Sequence, residues 1–174
     1  MLDYKPYKHL KSYQQTTIIY DFTVKFTEKY IKSYRTREQM DHAARSGKQN
    51  IAEGSELGKT SSKSELRLLG VARASLRELS EDYEDYLRQN SLNLWVQNSS
   101  HAMQVRQIVY HNPSYPSYSS YLNSAEEACN AMICLINQTT YLLDKQMAKL
   151  ENDFIKKGGY SEHLYKKRID YRSK

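Results

Sequence analysis

An all-α fold, an up-down bundle of four long helices, is what this sequence predicts, and three observations predict it. Apolar residues recur at intervals of three and four through four long segments. Six glycines and three prolines leave little punctuation for a many-stranded sheet with tight turns. A composition of 39% hydrophobic and 26% charged residues belongs to a folded globular chain rather than a disordered one. At 174 residues the chain suits one domain with a sizeable core. The reading places a bundle over 1–158, with helices at about 9–34, 36–57, 62–89 and 124–157. A helical, tyrosine-rich crossover fills 90–123 between the third and fourth helices, and a short basic tail follows at 159–174.

Each helix has its own justification. In the first, Ile19, Phe22, Phe26 and Tyr30 step by three, four and four along one face. The second opens at Thr36, with Gln39 placed three residues on as in a capping box. Its inward positions, Met40, Ala43, Ala44, Gly47, Ile51 and Gly54, are mostly small and let a neighbouring helix come close. Gly47 costs about 1 kcal/mol of helix propensity relative to Ala, which that approach must recover. Ser62 and Glu65 stand in the same capping relation at the start of the third, whose stripe is Leu69, Ala72, Leu76, Leu79, Tyr83 and Tyr86. Ser124 and Glu127 open the fourth, which carries Cys129, Met132, Ile136, Thr139, Leu143, Leu150 and Phe154 before Gly158 and Gly159 stop it. Rods of this length hide four apolar stripes only by packing against one another, which leaves no interior cavity for chemistry. The crossover is read as one or two short helices around Leu92, Trp95, Val105 and Ile108, then a Pro, Ser and Tyr loop from His111 to Asn123.

Several functions find no support. The stretch from Gly54 to Thr60 has three residues between its glycines where a phosphate loop has four, and it follows a helix rather than a strand. It reads as a helix–helix turn. The five histidines, at 9, 42, 101, 111 and 163, include no pair at the spacing with which a helix holds zinc. There is no G-x-S-x-G elbow, and Cys129 and Cys134, five apart in a helix, suit neither a zinc knuckle nor a redox pair. Glu81, Glu84 and Asp85 point away from the core stripe and form a wet face. The expectation is therefore a protein without catalytic residues, metal or cofactor. No apolar run is long enough for a bilayer span and the start lacks the apolar core of a signal peptide, so a cytoplasmic protein with no membrane partner is expected.

Charge is the feature that speaks of partners. The chain is +6 overall, but residues 1–77 carry +7, residues 78–155 carry −6, and residues 156–174 carry +5. At 100° per residue, Lys63, Arg67, Arg73 and Arg77 fill an arc of about 120° opposite the third helix's core stripe. Arg45 and Lys48 on the second helix widen this basic ridge. Such a ridge neutralises phosphates; the same charges also suit a solvated face paired with Glu65 or Glu78. The tail interleaves Tyr160, Tyr165 and Tyr171 with Lys166, Lys167, Arg168 and Arg172, the composition of a nucleic-acid-binding arm or of a solubilising end. Among the 16 tyrosines, Tyr110, Tyr115, Tyr118 and Tyr121 cluster in the crossover, where exposed rings would serve subunit contact.

A family resemblance rests on particular residues. Ala43 to Gly54, with its run Asn50-Ile51-Ala52-Glu53-Gly54, then Lys63-Ser64-Glu65 and Ala72 to Leu79, resemble the signature of the four-helix bundle proteins encoded in 23S rRNA intervening sequences. Asp82 to Arg88, Gln138 to Leu143 and Phe154 to Gly159 look like the subgroup called four helix bundle suffix domain proteins. The resemblance implies an up-down four-helix fold assembled as a homopentamer. A related branch, the accessory protein of diversity-generating retroelements, implies a basic bundle that binds nucleic acid and a reverse transcriptase. This chain differs from that branch in its long crossover, acidic middle block and extra tail. Two functions follow as expectations: a non-enzymatic accessory factor that binds RNA or DNA through the basic surface, or an assembly scaffold in which the basic ridge of one copy meets the acidic half of the next.

Overall fold

The computed structural model describes residues 6–173. The ends of the expected bundle and tail, residues 1–5 and Lys174, lie outside the described residues. After a single 3-10 turn at Pro6–His9 come three long helices, α1 (Lys11–Tyr30), α2 (Tyr34–Leu57) and α3 (Ser62–Gln89). The crossover holds α4 (Ser100–Ile108), α5 (Pro116–Ser119) and a 3-10 turn at Ser120–Asn123. It leads into α6 (Ala125–Lys157) and α7 (Tyr160–Arg172). No strand occurs among the described residues. Helices α1, α2, α3 and α6 pack in a closed cycle, each on its two sequence neighbours and α6 back on α1, which is the up-down bundle.

The helix ends correct two expected caps. Helix α1 stops at Tyr30 rather than near 34, because Ser33 takes extended backbone angles and its hydroxyl accepts from the Thr36 N–H. Thr36 therefore lies inside α2 rather than opening it. Likewise Ser61, not Ser62, caps α3, accepting from the Ser64 N–H. The Glu65 carboxylate instead lies over Gly58, and burial raises its pKa. Ser124 does cap α6, accepting from the Glu127 N–H, and Gly158 ends that helix at φ 78°.

The core is built from the predicted stripes. Ile19, Phe22, Phe26, Met40, Ala44, Ile51, Leu69, Leu76, Leu79 and Tyr83 are fully buried. At its centre the Thr23 and Tyr83 hydroxyls lie 2.9 Å apart, and Phe26 packs obliquely on Tyr83. Such pairing lets a buried phenol keep a hydrogen bond. The small residues of α2 do what their size requires. A Cβ at Gly47 would stand 2.9 Å from Leu76 Cδ2, and one at Gly54 would stand 3.4 Å from Leu68 Cβ.

The crossover, read as one or two short helices followed by a loop from His111 to Asn123, departs from that reading in its second part. Its second half is helical, and it covers the outer face of α6, so that every residue from Ala128 to Ile136 is buried, not only the inward stripe. Tyr118 is fully buried, and Tyr115 and Tyr121 are half-buried against the core; only Tyr110 of that cluster stays exposed. These rings fill the chain's own packing rather than waiting for a subunit. Phe154, expected in the core, is exposed, because α6 outruns the bundle at its C-terminal end.

Candidate nucleic-acid interface

The Asn50-Ile51-Ala52-Glu53-Gly54 run sits on α2 where it faces α3, and four of its five residues are engaged in packing. The Asn50 amide donates to the Ser46 carbonyl and hydroxyl, and that hydroxyl lies 2.9 Å from the Ser75 hydroxyl of α3. Ile51 and Ala52 are buried, and Gly54 admits the Leu68 side chain and the Glu65 backbone. Glu53 alone points to solvent. The run is thus a hairpin-packing element.

The structure divides the six ridge cations. Lys63, Arg67, Arg77 and Arg45 are exposed. Arg73 instead turns to the α3–α6 seam and pairs with Asp144 at 2.5 Å. Lys48 turns to α1, its ammonium 4.6 Å from the centre of the Tyr20 ring. Arg73 and Lys48 therefore face opposite flanks of the α2–α3 hairpin, and the continuous ridge is reduced to a stripe on α3 with Arg45 apart from it. Neither cation was separable from the ridge by helical stepping. Their partners are on other helices, which only packing brings alongside.

The tail gives the strongest basic display. Helix α7 has no buried residue. Lys166, Lys167 and Arg168 are exposed along it with Tyr165 and Tyr171, and Lys156 and Lys157 continue the basic surface on α6 just before the Gly158-Gly159 link. A helix of this length is marginal in water without a surface to dock on. Its N-terminus is held locally, by the Glu162 carboxylate accepting from the Gly159 N–H.

Acidic groups gather at the opposite end of α3. Glu78, Glu81, Glu84 and Asp85 are exposed. Burial first, then the neighbouring carboxylates of Glu78, Asp85 and Glu81, pushes the Asp82 carboxyl up to about 6. Helix α3 itself is bipolar, with Lys63 and Arg67 toward its start and Glu78 to Asp85 toward its end.

One groove bears on the expectation of no interior cavity for chemistry. A groove of about 830 Å³ runs along α6 beneath the crossover, lined by Trp95, Arg106, Asn130, Cys134 and Gln138 among others. Several of its polar groups are hydrogen-bonded within the chain, while the Gln138 Oε1 is buried with no partner among the described residues. Asn130 accepts from the Trp95 N–H and donates to the Asn93 carbonyl, and the Gln138 amide donates to the Arg106 carbonyl. Burial raises the Cys134 thiol's pKa, which keeps it a thiol rather than a nucleophilic thiolate. Among the described residues no group of three or more His, Cys, Asp or Glu side chains is arranged to hold a metal ion, and no helix is long and apolar enough to cross a membrane.

With this geometry in hand, the comparison with known families is decisive over the first three helices. The 23S rRNA-intervening sequence protein family matches residues 8–105, more than half of the chain. The chain belongs to that family. The matched part runs through α1, α2 and α3 into α4, and so contains the hairpin, the Asn50 to Gly54 run and all six ridge cations, while α6 and α7 lie beyond it. No curated protein and no solved structure matches the chain.

Proposed function

We propose that this family member is a non-catalytic accessory factor that binds RNA or DNA by its phosphate backbone, with α7 and the end of α6 as its principal contact. The observation that supports this reading is a wholly exposed helix presenting Lys166, Lys167 and Arg168 beside Tyr165 and Tyr171, with Lys156 and Lys157 adjoining. Cations on a protruding rod reach successive phosphates, and exposed tyrosines stack on unpaired bases. The family's link to ribosomal RNA intervening sequences agrees with an RNA ligand. Binding of this kind is led by shape and charge, so it discriminates little between sequences.

The test is fluorescence anisotropy with duplex and single-stranded RNA and DNA across a salt series. Affinity is expected to fall steeply with salt, and K166E/K167E/R168E to lower the logarithmic salt slope by about 2 to 3 on duplex. Binding that ignores salt, or that the triple reversal leaves intact, overturns the reading. A second reading, an assembly scaffold, is favoured by one specific feature: the charge order along the outward face of α3.

A further inference from the structure

We propose that the groove beneath the crossover is a binding site for a free mononucleotide, with the base laid against its aromatic wall and the phosphate held by Arg106. The groove measures about 830 Å³, within the roughly 300–1,000 Å³ of sites that take a small molecule. Three rings stand on its wall: Trp95, half-buried, and Tyr110 and Tyr141, both exposed. Trp95 is fixed in place, since its backbone N–H donates to Asn130 Oδ1 at 2.7 Å and its ring centre lies 5.4 Å from that of His101. Rings around an apolar groove offer faces on which a flat heterocycle stacks.

Two amides select the edge of that heterocycle. Gln138 Oε1 is buried without a hydrogen-bond partner among the described residues, although its Nε2 donates to the Arg106 carbonyl. A buried acceptor left unpaired is costly, and the soft terminal torsion of a glutamine lets it turn to meet a donor. Gln15, 6% exposed, accepts from the Thr139 hydroxyl through Oε1, which leaves its Nε2 without a partner among the described residues and available to the groove it lines. A hydrocarbon would leave both groups unmet, and a simple carboxylate has no proton for Gln138. The edge of a nucleobase carries donors and acceptors side by side. The charge comes from Arg106. Its guanidinium donates to the Gln97 carbonyl and lies beside the Cys134 thiol, and it has no ion pair among the described residues. The rest of its fork is free for a phosphate. Lys11 adds a second cation to the wall, against the carboxylate of Glu84.

The site goes beyond the nucleic-acid reading and does not rest on it. Gln138 and Lys156 are eighteen residues apart on α6, about 27 Å at 1.5 Å per residue. A strand held by α7 would have to run that distance along α6 to place an unpaired base here, which favours a base and phosphate arriving free. Arg106, Tyr110, Gln138 and Tyr141 also lie beyond the family match at residues 8–105, so the groove is largely this chain's own.

Trp95 is the chain's single tryptophan, so its fluorescence reports on the groove rather than on α7. The full chain is titrated with AMP, GMP, CMP and UMP, with the matching nucleosides, with benzoate, and with a single-stranded RNA oligonucleotide, and calorimetry checks each affinity. At least one mononucleotide should change the Trp95 emission saturably, and its nucleoside should bind about tenfold more weakly. Arg106→Gln should remove that advantage of nucleotide over nucleoside. Gln138→Leu should weaken both by about tenfold or more. Thermal melts check that the variants fold, and the comparison of nucleotide with nucleoside on the wild-type chain stands without them. The proposal is overturned if no mononucleotide perturbs Trp95, if only the oligonucleotide does so, if benzoate binds as well as the nucleotides, or if folded Gln138→Leu binds unchanged. K166E/K167E/R168E separates the two readings, as it should lose nucleic-acid binding and keep the mononucleotide response.

Discussion

The two ends of α6 are one continuous helix with opposite fates. From Ala128 to Ile136 every residue is buried, while Phe154 and Ile155 are exposed and Lys156 and Lys157 project beyond the bundle. The difference is one of neighbours rather than of local sequence quality. At the first end α1 and α3 cover one face and the crossover covers the other; at the second the helix extends past what its partners can cover. A helix buried all round serves stability, and the end that outruns its partners is the part that the proposed reading gives to nucleic acid.

The largest expected effect sharpens that contrast. Leu135→Ala should cost about 2–5 kcal/mol, because a fully buried side chain leaves a cavity. Ile155→Ala, at a residue 74% exposed, should move stability by no more than about 0.5 kcal/mol. Urea unfolding of the two variants checks both; equal losses would mean that the end of α6 is packed after all. A smaller effect separates two helical glycines. Gly70→Ala, where a methyl group meets open space, should stabilise the monomer by up to about 1 kcal/mol. Gly47→Ala, whose new Cβ would press on the buried Leu76, should lose about 1–3 kcal/mol to overpacking, offset in part by that same propensity gain. Denaturant midpoints measured at dilute concentration give the two signs.

The smallest effect concerns pH. Asp82 is held above its ordinary carboxylate range, with a folded pKa of about 6. The folded chain therefore binds this proton more tightly than the unfolded chain. The proton's stabilisation is present below the unfolded value and is lost as pH rises through about 6. Asp82→Asn should accordingly raise stability at pH 7 to 8 by roughly 0.5–1 kcal/mol, a figure discounted for solvent screening of a half-exposed group, and should change little at pH 4. Thermal melts across that range measure it. A variant that is less stable at pH 8 than the wild type would show that the carboxylate has a partner worth more than its burial costs.

Much of the bundle was legible because it depends on local rules. Helical periodicity identified the stripes of α1 to α3, the small residues of α2 signalled a close neighbour, and Ser124 with Glu127 marked the start of α6. The expected caps at Thr36 and Ser62 missed by three residues and by one, since several serines and threonines compete at both ends and backbone angles choose among them. The candidate surface was legible in charge but not in grouping. Arg73 and Lys48 belong to one helical arc or one hairpin by counting, yet Asp144 and Tyr20 draw them to opposite seams.

The sequence by itself determined the four long helices, the inward faces of α1 to α3 and the order of charge along α3, because each follows from spacing along a single rod. Only the tertiary structure decided which cations remain free, which tyrosines fill the crossover, and where a helix runs out of partners. Those outcomes depend on side chains distant in the chain meeting across a seam, and no periodicity within one segment encodes what stands opposite it.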